Sequence, residues 1–355
     1  IARQTGKPTY HIESESELAS MDTSVLTSAR HIGITAGAST PNWIIKKVYR
    51  ALETLQVRRT QSWRRILFGL QQTLLLTNIY VSLGAGCLTY AMAKLQGFSQ
   101  FFPYVLISML YVQSMHILNH LTGNKSDQYN DPERAKFYQK YKSLLIVLAL
   151  AAGGAGLVIA YSLGLFPLSL LLIMSLLGLS YNLRFVPKKF VGFRYRRIRD
   201  IPGSKTLLIA IAWGIVTAAL PPLSLTGKAS WIAGIIFLWT AGIVFVRTAF
   251  FDILDMQGDR IVGKETFAIL LGEKRSMRLL KNMLIGLIAA LILLSFFHLI
   301  SYLGLVLIGW PIFFLLLLTA YERGVLLPSI KLEFLVETNF ILAGVAAFLW
   351  SVFDL

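Results

Sequence analysis

Three aspartates in the run Arg247-Thr-Ala-Phe-Phe-Asp252-Ile-Leu-Asp255-Met-Gln-Gly258-Asp259-Arg260-Ile-Val-Gly263-Lys264-Glu265-Thr266 fall at i, i+3 and i+7. A helix through them puts all three carboxylates on one face. Like charges one turn apart repel, and this run follows a long apolar stretch, where uncompensated charge is costlier still. Hard divalent cations with oxygen ligands are the natural counter-charge. Arg260 and Lys264 stand close by, and Gly258 and Gly263 are expected to turn the backbone out of the helix. The bland alternative is a solvated acidic helix end neutralised by Arg and Lys.

A second run reads His116-Ile-Leu-Asn119-His120-Leu-Thr-Gly123-Asn124-Lys125-Ser126-Asp127-Gln-Tyr-Asn130-Asp131-Pro132-Glu133-Arg134. It sets Asn119, Asp127 and Asp131 at multiples of four. Alone it is an ordinary turn before a proline. Two such runs on one side of a bundle say more. Magnesium held by a few carboxylates from each run keeps coordination positions for phosphate oxygens, and the surrounding Lys and Arg complete a diphosphate site at a membrane surface.

The elements that must position these residues follow from composition. Of 355 residues, 55% are hydrophobic and only 15% charged, with 34 Lys+Arg against 18 Asp+Glu, formally +16; mean hydropathy is +0.62. A soluble chain needs more charge to cover its surface, so the lipid bilayer is the main partner. The basic excess reads as loops facing anionic lipid and not as a nucleic-acid surface. The single cysteine, Cys87, excludes a disulfide framework, a Cys-rich zinc module and an all-cysteine iron–sulfur site. The chain begins at Ile1, not Met, and is read as a piece of a longer one.

About nine apolar stretches are long enough, the shorter ones marginally, to cross a ~30 Å hydrocarbon layer: 67–93, 101–118, 143–165, 167–183, 206–223, 231–250, 279–300, 303–321 and 334–353. Basic residues concentrate after the second, fourth, sixth and eighth, while the intervening loops hold little more than Lys94 and Lys228. The positive-inside rule then puts the N-terminus and the aspartate-rich loops in the cytoplasm. The fold class expected is an all-α, multi-pass (polytopic) membrane protein, a bundle of about nine transmembrane helices in the cell (inner) membrane. Small residues such as Gly84, Gly86, Gly153 and Gly156 read as close helix packing. Residues 1–57 differ: Thr9–Ile12 and a run from Ile32 read as strands, Thr40-Pro41 as a helix start, and the whole as a short soluble α/β N-terminal tail.

These residues resemble the UbiA superfamily of intramembrane prenyltransferases, over roughly residues 60–355. The family has nine transmembrane helices and two aspartate-rich motifs, Asn-x-x-x-Asp-x-x-x-Asp after helix two and Asp-x-x-x-Asp after helix six. Asp252-x-x-Asp255-x-x-Gly258-Asp259-Arg260-x-x-Gly263-Lys264-x-Thr266 looks like the second, with Asp255 and Asp259 as its pair. The first departs: with Asn119 as its asparagine, Asp127 falls on the last aspartate and Gly123 on the first. Either one ligand is missing or the pair has moved to Asp127 and Asp131. The resemblance also implies that a tyrosine and basic residues after the fourth span hold the diphosphate and cover the site, which points to Tyr181. Lys205, after Pro202-Gly203, is the candidate phosphate ligand there, with Arg199. The tail resembles the C-terminal end of hydroxymethylbutenyl diphosphate reductase, through Thr5–Ile12 and Gly33–Pro41, with Ser39 at that family's diphosphate-binding serine.

The function expected is magnesium-dependent transfer of a prenyl group from a polyprenyl diphosphate to a hydrophobic or aromatic acceptor, in isoprenoid biosynthesis. Asp127, Asp131, Asp252, Asp255 and Asp259 would hold Mg2+. Lys205, Lys264 and Arg199 would act on the departing diphosphate, and Asn119, Tyr181 and Arg260 would bind substrate. Residues 58–355 form the enzyme domain, and deletion of residues 1–55 is expected to leave transfer intact. Asn78 and Gln113 either line the cavity or bond helix to helix. One alternative is part of a bifunctional protein fused to the reductase. Another is a polytopic transporter, disfavoured because the mid-regions of the spans show almost no ionisable groups.

Overall fold

The computed structural model describes residues 6–13, 17–18, 24–29, 31–36, 40, 42–59, 62–123, 127–180, 201 and 203–353. From Ser62 on, these residues form helices and the turns between them, and no strand occurs among the described residues. Thr9–Ile12 and the described residues of the run from Ile32 do not form strands. A strand needs a partner to satisfy its backbone groups, and here the apolar side chains take another course. Ile12, Leu26 and Ile32 gather with Ile44 about a small core of Leu18, Val48 and Leu52. That core joins a short helix α1 (Ser24–Ser28) to α2 (Asn42–Arg59), the helix foreseen after Pro41.

The first apolar stretch is not one helix. It breaks into α3 (Ser62–Leu76) and α4 (Ile79–Leu95), bent by 74°. Asn78 sits at the break with φ +59°. The break frees backbone groups, and Gln113 of another helix meets one, donating to the Thr77 carbonyl at 2.7 Å; the Asn78 side chain itself donates to Tyr138 Oη at 2.6 Å. A kink inside an apolar bundle is sustained by such polar partners.

The rest of the bundle comprises α5 (Phe102–Gly123), α6 (Asp127–Asn130), α7 (Pro132–Lys140), α8 (Lys142–Leu163), α9 (Leu165–Ser180), α10 (Ser204–Thr226), α11 (Trp231–Ile261), α12 (Phe267–Leu271), α13 (Glu273–Phe296), α14 (Leu303–Glu322) and α15 (Ile330–Val352). Six of these, α8, α10, α11, α13, α14 and α15, are long and apolar enough to cross a membrane, and the bent pair makes a seventh if taken as one span. Helix α9 is apolar but shorter, and α5 carries Gln113, His116, Asn119 and His120. Outward-facing Leu144, Val147, Leu150, Val158, Leu165 and Leu176 are all exposed, as lipid contact requires.

Helix α4 packs on α5 and α15, α5 on α8, α10 on α11 and on α4, and α11 on α13. The ring closes around a polar cleft because backbones approach closely where side chains are small. A Cβ on Gly344 of α15 would lie 2.5 Å from Cys87 Cβ of α4, and one on Gly84 would lie 3.1 Å from Phe340 Cβ. Helix α10 contains a π-helical turn at Ile215–Ala219, ahead of Pro221 and Pro222; prolines leave carbonyls of the preceding turn without donors.

Gly344→Ala should destabilise the protein by about 1–3 kcal/mol through overpacking against backbone, read as a lower melting temperature in detergent. Gly154→Ala, where a Cβ meets open space, should leave stability equal or slightly higher. Equal melting temperatures for wild type and Gly344→Ala would mean that α4 and α15 do not pack at this distance.

Candidate active site

Helix α11 runs unbroken through all three aspartates of the first run, and Asp252, Asp255 and Asp259 line one cavity of about 1070 Å³. Asp252 and Asp259 are tied from outside their own helix or just beyond its end. Thr206 of α10 donates to Asp252. Asp259 accepts from Asn130 Nδ2 at 3.1 Å and lies 3.3 Å from Lys264 Nζ. Gly258 does not turn the chain, because the helix continues to Ile261 and Gly263 makes the turn with φ +69°. Gly258 instead makes room: a Cβ there would lie 1.8 Å from Asn130 Oδ1. The absent side chain is what lets the second loop reach Asp259.

The second run is not one continuous helix. Helix α5 ends at Gly123 and α6 starts at Asp127, so Asn119 and Asp127 approach the cavity from different elements, and both line it. Asp127 Oδ2 is 3.3 Å from His120 Nδ1. Burial pushes the Asp127 carboxyl up, but the His120 hydrogen bond and the charges of His120, Lys205 and Lys264 outweigh it, and the group is held below its ordinary value. Asp131 has a different occupation. It caps α7, accepting from Arg134 N at 3.2 Å, and its two oxygens pair with Arg50 Nη1 at 3.0 Å and Arg134 Nε at 3.2 Å.

Both guanidiniums also reach Glu333 of α15, Arg50 at 3.6 Å and Arg134 closer. Asp131, Arg50, Glu333 and Arg134 thus form a closed ring at the cavity wall, all four lining it. Burial works against each guanidinium charge, yet Asp131 and Glu333 prevail and hold both above their ordinary values. Arg50 belongs to α2, in the tail that the sequence marks as separate and dispensable.

Lys205, in the first turn of α10, and Lys264, after α11, line the same cavity. Arg260 is exposed and does not line it. Arg199 and Tyr181 lie outside the described residues. Deeper in, the wall is Tyr111, Met115, Met174, Leu177, Trp213 and Phe251, interrupted by the buried pair Arg247–Glu337. Arg247 and Glu337 fall near the ends of the stretches 231–250 and 334–353, outside their mid-regions. Asn130, Arg50, Arg134, Glu333, Arg247 and Glu337 escape the spacing argument. Only the last two leave a signal in the sequence, as charges within apolar helices. Asn78 both lines the cavity and bonds between helices; Gln113 does only the second.

Among the described residues, no three His, Cys, Asp or Glu side chains converge as a preformed metal cage requires. The donors fit magnesium in another way. Asp127 on one side and Asp252, Asp255 and Asp259 on the other line one cleft with carboxylate oxygens, the donor type that magnesium takes while leaving positions for phosphate oxygens.

Deleting residues 1–55 removes Arg50 and leaves Asp131 and Glu333 one partner short, a loss of about 1–3 kcal/mol at partly buried charges. Amide exchange across residues 127–140 should quicken in the truncated protein and in Arg50→Ala. Exchange rates equal to those of the full chain would mean that Arg50 does not hold this segment in place.

Comparison with known proteins agrees with this geometry. Residues 66–329 match the UbiA prenyltransferase family and residues 1–53 the LytB protein family. Over 48 residues, 14% of this chain and 16% of the relative, the sequence is 52% identical to 4-hydroxy-3-methylbut-2-enyl diphosphate reductase of Clostridioides difficile (strain 630). The match thus spans about a sixth of that reductase's length. Among solved structures, the apo UbiA homolog from Aeropyrum pernix K1 superposes with a TM-score of 0.54 at 16% identity, covering 76% of this chain and 96% of that one. A digeranylgeranylglyceryl phosphate synthase structure gives 0.43 at 17% identity, covering 79% and 94%. A bundle shared with a UbiA homolog and a family match over most of the length lead to one assignment: the chain belongs to the UbiA prenyltransferase family, with a LytB-like segment at its start.

Proposed function

We propose that this prenyltransferase carries out magnesium-dependent transfer of a prenyl group from a polyprenyl diphosphate to a hydrophobic or aromatic acceptor. The single observation that carries this reading is that Asp127, Asp252, Asp255, Asp259, Lys205 and Lys264 line one cavity whose far end is apolar and aromatic. Magnesium bound by Asp127, Asp252, Asp255 and Asp259 would neutralise the diphosphate and make it a better leaving group. Lys205 and Lys264 supply fixed positive charge to the same oxygens. As the allylic C–O bond breaks, its electron pair stays with the diphosphate. Tyr111, Trp213 and Phe251 offer aromatic faces to the cation that forms, and the apolar wall from Met115 to Met174 and Leu177 keeps water from it.

The chain would cross the membrane about nine times, with α5, α9 and the bent α3–α4 pair as three of the crossings. The aspartate end would face the cytoplasm, where the basic loops lie. The LytB match supports a second reading, that this chain is part of a bifunctional isoprenoid protein. Its one cysteine, Cys87, lies in α4, so cysteines for a reductase cluster would have to lie in sequence upstream of Ile1. Sequencing that reading frame tests it.

Asp255→Ala and Asp259→Ala should each abolish transfer of labelled prenyl groups in membranes while the protein still inserts. Near-normal turnover of either at saturating prenyl diphosphate would overturn the assignment of the carboxylates. Magnesium titration separates the two aspartates of the other loop. Asp127→Asn should raise the concentration for half-maximal rate. Asp131→Asn, whose carboxylate serves the cap and the ion-pair ring, should leave that concentration unchanged and lower the melting temperature. A shifted magnesium curve for Asp131→Asn would make it a metal ligand after all.

A further inference from the structure

Helix α3 (Ser62–Leu76) carries an apolar face turned out of the bundle. Trp63, Ile66, Leu67 and Leu70 are exposed, Ile66 by 71%. In helical register these four fall within an arc of about 100°, one stripe along the helix. Phe68 and Leu75 point elsewhere, into a cluster with Ile330 of α15, and Gln72 donates to Glu133 of α7 at 3.0 Å. The inner side of α3 therefore rests on the two helices that bring Asp131, Arg134 and Glu333 to the cavity wall.

The direction of the helix decides what covers the outer stripe. Helix α3 meets α4 at 74° across the left-handed Asn78. The 17 residues of α4 make about 25 Å, close to the thickness of the hydrocarbon layer, so α4 crosses near the membrane normal. The 15 residues of α3 make about 22 Å, but at this angle to α4 they gain only about 6 Å of depth. A helix that gains so little depth lies along the surface. What adjoins the stripe favours lipid over a protein partner. Ile79 and Leu83, at the start of α4, are exposed as well, so the apolar surface runs on into the face that α4 turns to the acyl chains. At its other end Arg64 and Arg65 follow Trp63. Tryptophan beside basic residues suits the level of anionic headgroups.

We infer that α3 is an interfacial helix in the plane of the membrane at the aspartate end, with Trp63, Ile66, Leu67 and Leu70 sunk to the boundary between headgroups and acyl chains, and that its partner is an anionic lipid surface. Of the bent pair, α4 alone makes the crossing. The inference is independent of the reaction and of its acceptor. It gives the wall of Asp131, Arg134 and Glu333 a footing on the membrane, since α3 braces α7 and α15 from outside.

The test uses the full-length protein in nanodiscs of phosphatidylcholine and phosphatidylglycerol. In a Cys87→Ser background, nitroxide labels are attached to Trp63→Cys, Ile66→Cys and Leu70→Cys in turn, with Ile79→Cys and Leu83→Cys of α4 as controls. Collision with oxygen against a water-soluble nickel chelate reads the depth of each. The three α3 labels should agree within about 3 Å and lie about 5–10 Å into the boundary. The Leu83 label should lie about 6 Å deeper than the Ile79 label. A steady gain of about 10 Å from Trp63 to Leu70 would make α3 part of a crossing. Labels open to the chelate would put the stripe in water. Labels shielded from both probes would put a protein on it, a second copy of this chain included. Each of these three results overturns the inference. The unaltered protein gives a check that needs no substitution. A photoreactive group carried beside the lipid headgroup should mark residues 63–70, and one at the acyl-chain end should not; the reverse pattern overturns the inference too. Replacing phosphatidylglycerol with phosphatidylcholine should raise chelate access at Ile66 about twofold, and unchanged access would remove anionic lipid as the partner.

Discussion

Five aspartates line a single cavity in a chain whose surroundings are mostly apolar, and their mutual repulsion is the constraint to which the neighbouring structure answers. Each carboxylate for which a partner has been described is held differently. Thr206 donates to Asp252, Asn130 and Lys264 face Asp259, His120 holds Asp127, and two guanidiniums hold Asp131. These partners come from α10, α6, the turn after α11, α5, α2 and α7. The helices therefore meet where the charges need them to, and the cleft is polar at one end because no single helix could neutralise the group alone. Positive charge is drawn in from outside the bundle as well, since α2 brings Arg50 to the wall.

Along the cavity, a ring of four charges and a single ion pair have different consequences. The ring of Arg50, Asp131, Arg134 and Glu333 is internally matched, two acids against two bases, and it joins the tail, the first loop and the last helix. Such a ring fixes positions, because any member that leaves strands a partly buried charge. The Arg247–Glu337 pair is matched in charge but not in hydrogen bonds, since one carboxylate oxygen takes both donors. The first arrangement joins three elements through four groups, whereas the second ties only the two helices α11 and α15.

What could be read from the residues alone follows the range of the interactions. The register of Asp252, Asp255 and Asp259 is local, fixed by helical spacing, and it survives intact in α11. The apolar stretches likewise reappear as helices. The break at Asn78 was hidden because hydropathy is blind to a left-handed residue whose neighbours are apolar; Gln113 and Tyr138, which meet it, lie 36 and 60 residues away. The contact between Asn130 and Asp259 spans 129 residues. It depends on a glycine whose role looked like a turn. Arg50 was invisible for a different reason: the tail resembles another protein, and resemblance to a soluble enzyme gives no hint that its last helix docks on a membrane bundle.

That docking gives the LytB-like segment a physical part in a protein to whose family it does not belong. Helix α2 has its own apolar anchor in Leu18, Val48 and Leu52, which belong to the tail and not to the bundle. Its contribution to the bundle is chiefly polar. Arg50 enters the ring, and Glu53, buried beside it, is pushed above the ordinary carboxylate range by burial against the opposing pull of Lys331 and Arg50. A segment retained only as a tether needs no arginine at the cavity wall, and Arg50 lines it. Having one arginine there ties the geometry of the first loop, and with it Asn130 and Asp259, to whether α2 is folded. The LytB-like segment therefore reaches the loop of Asn130, and through it Asp259, by one ring of charges.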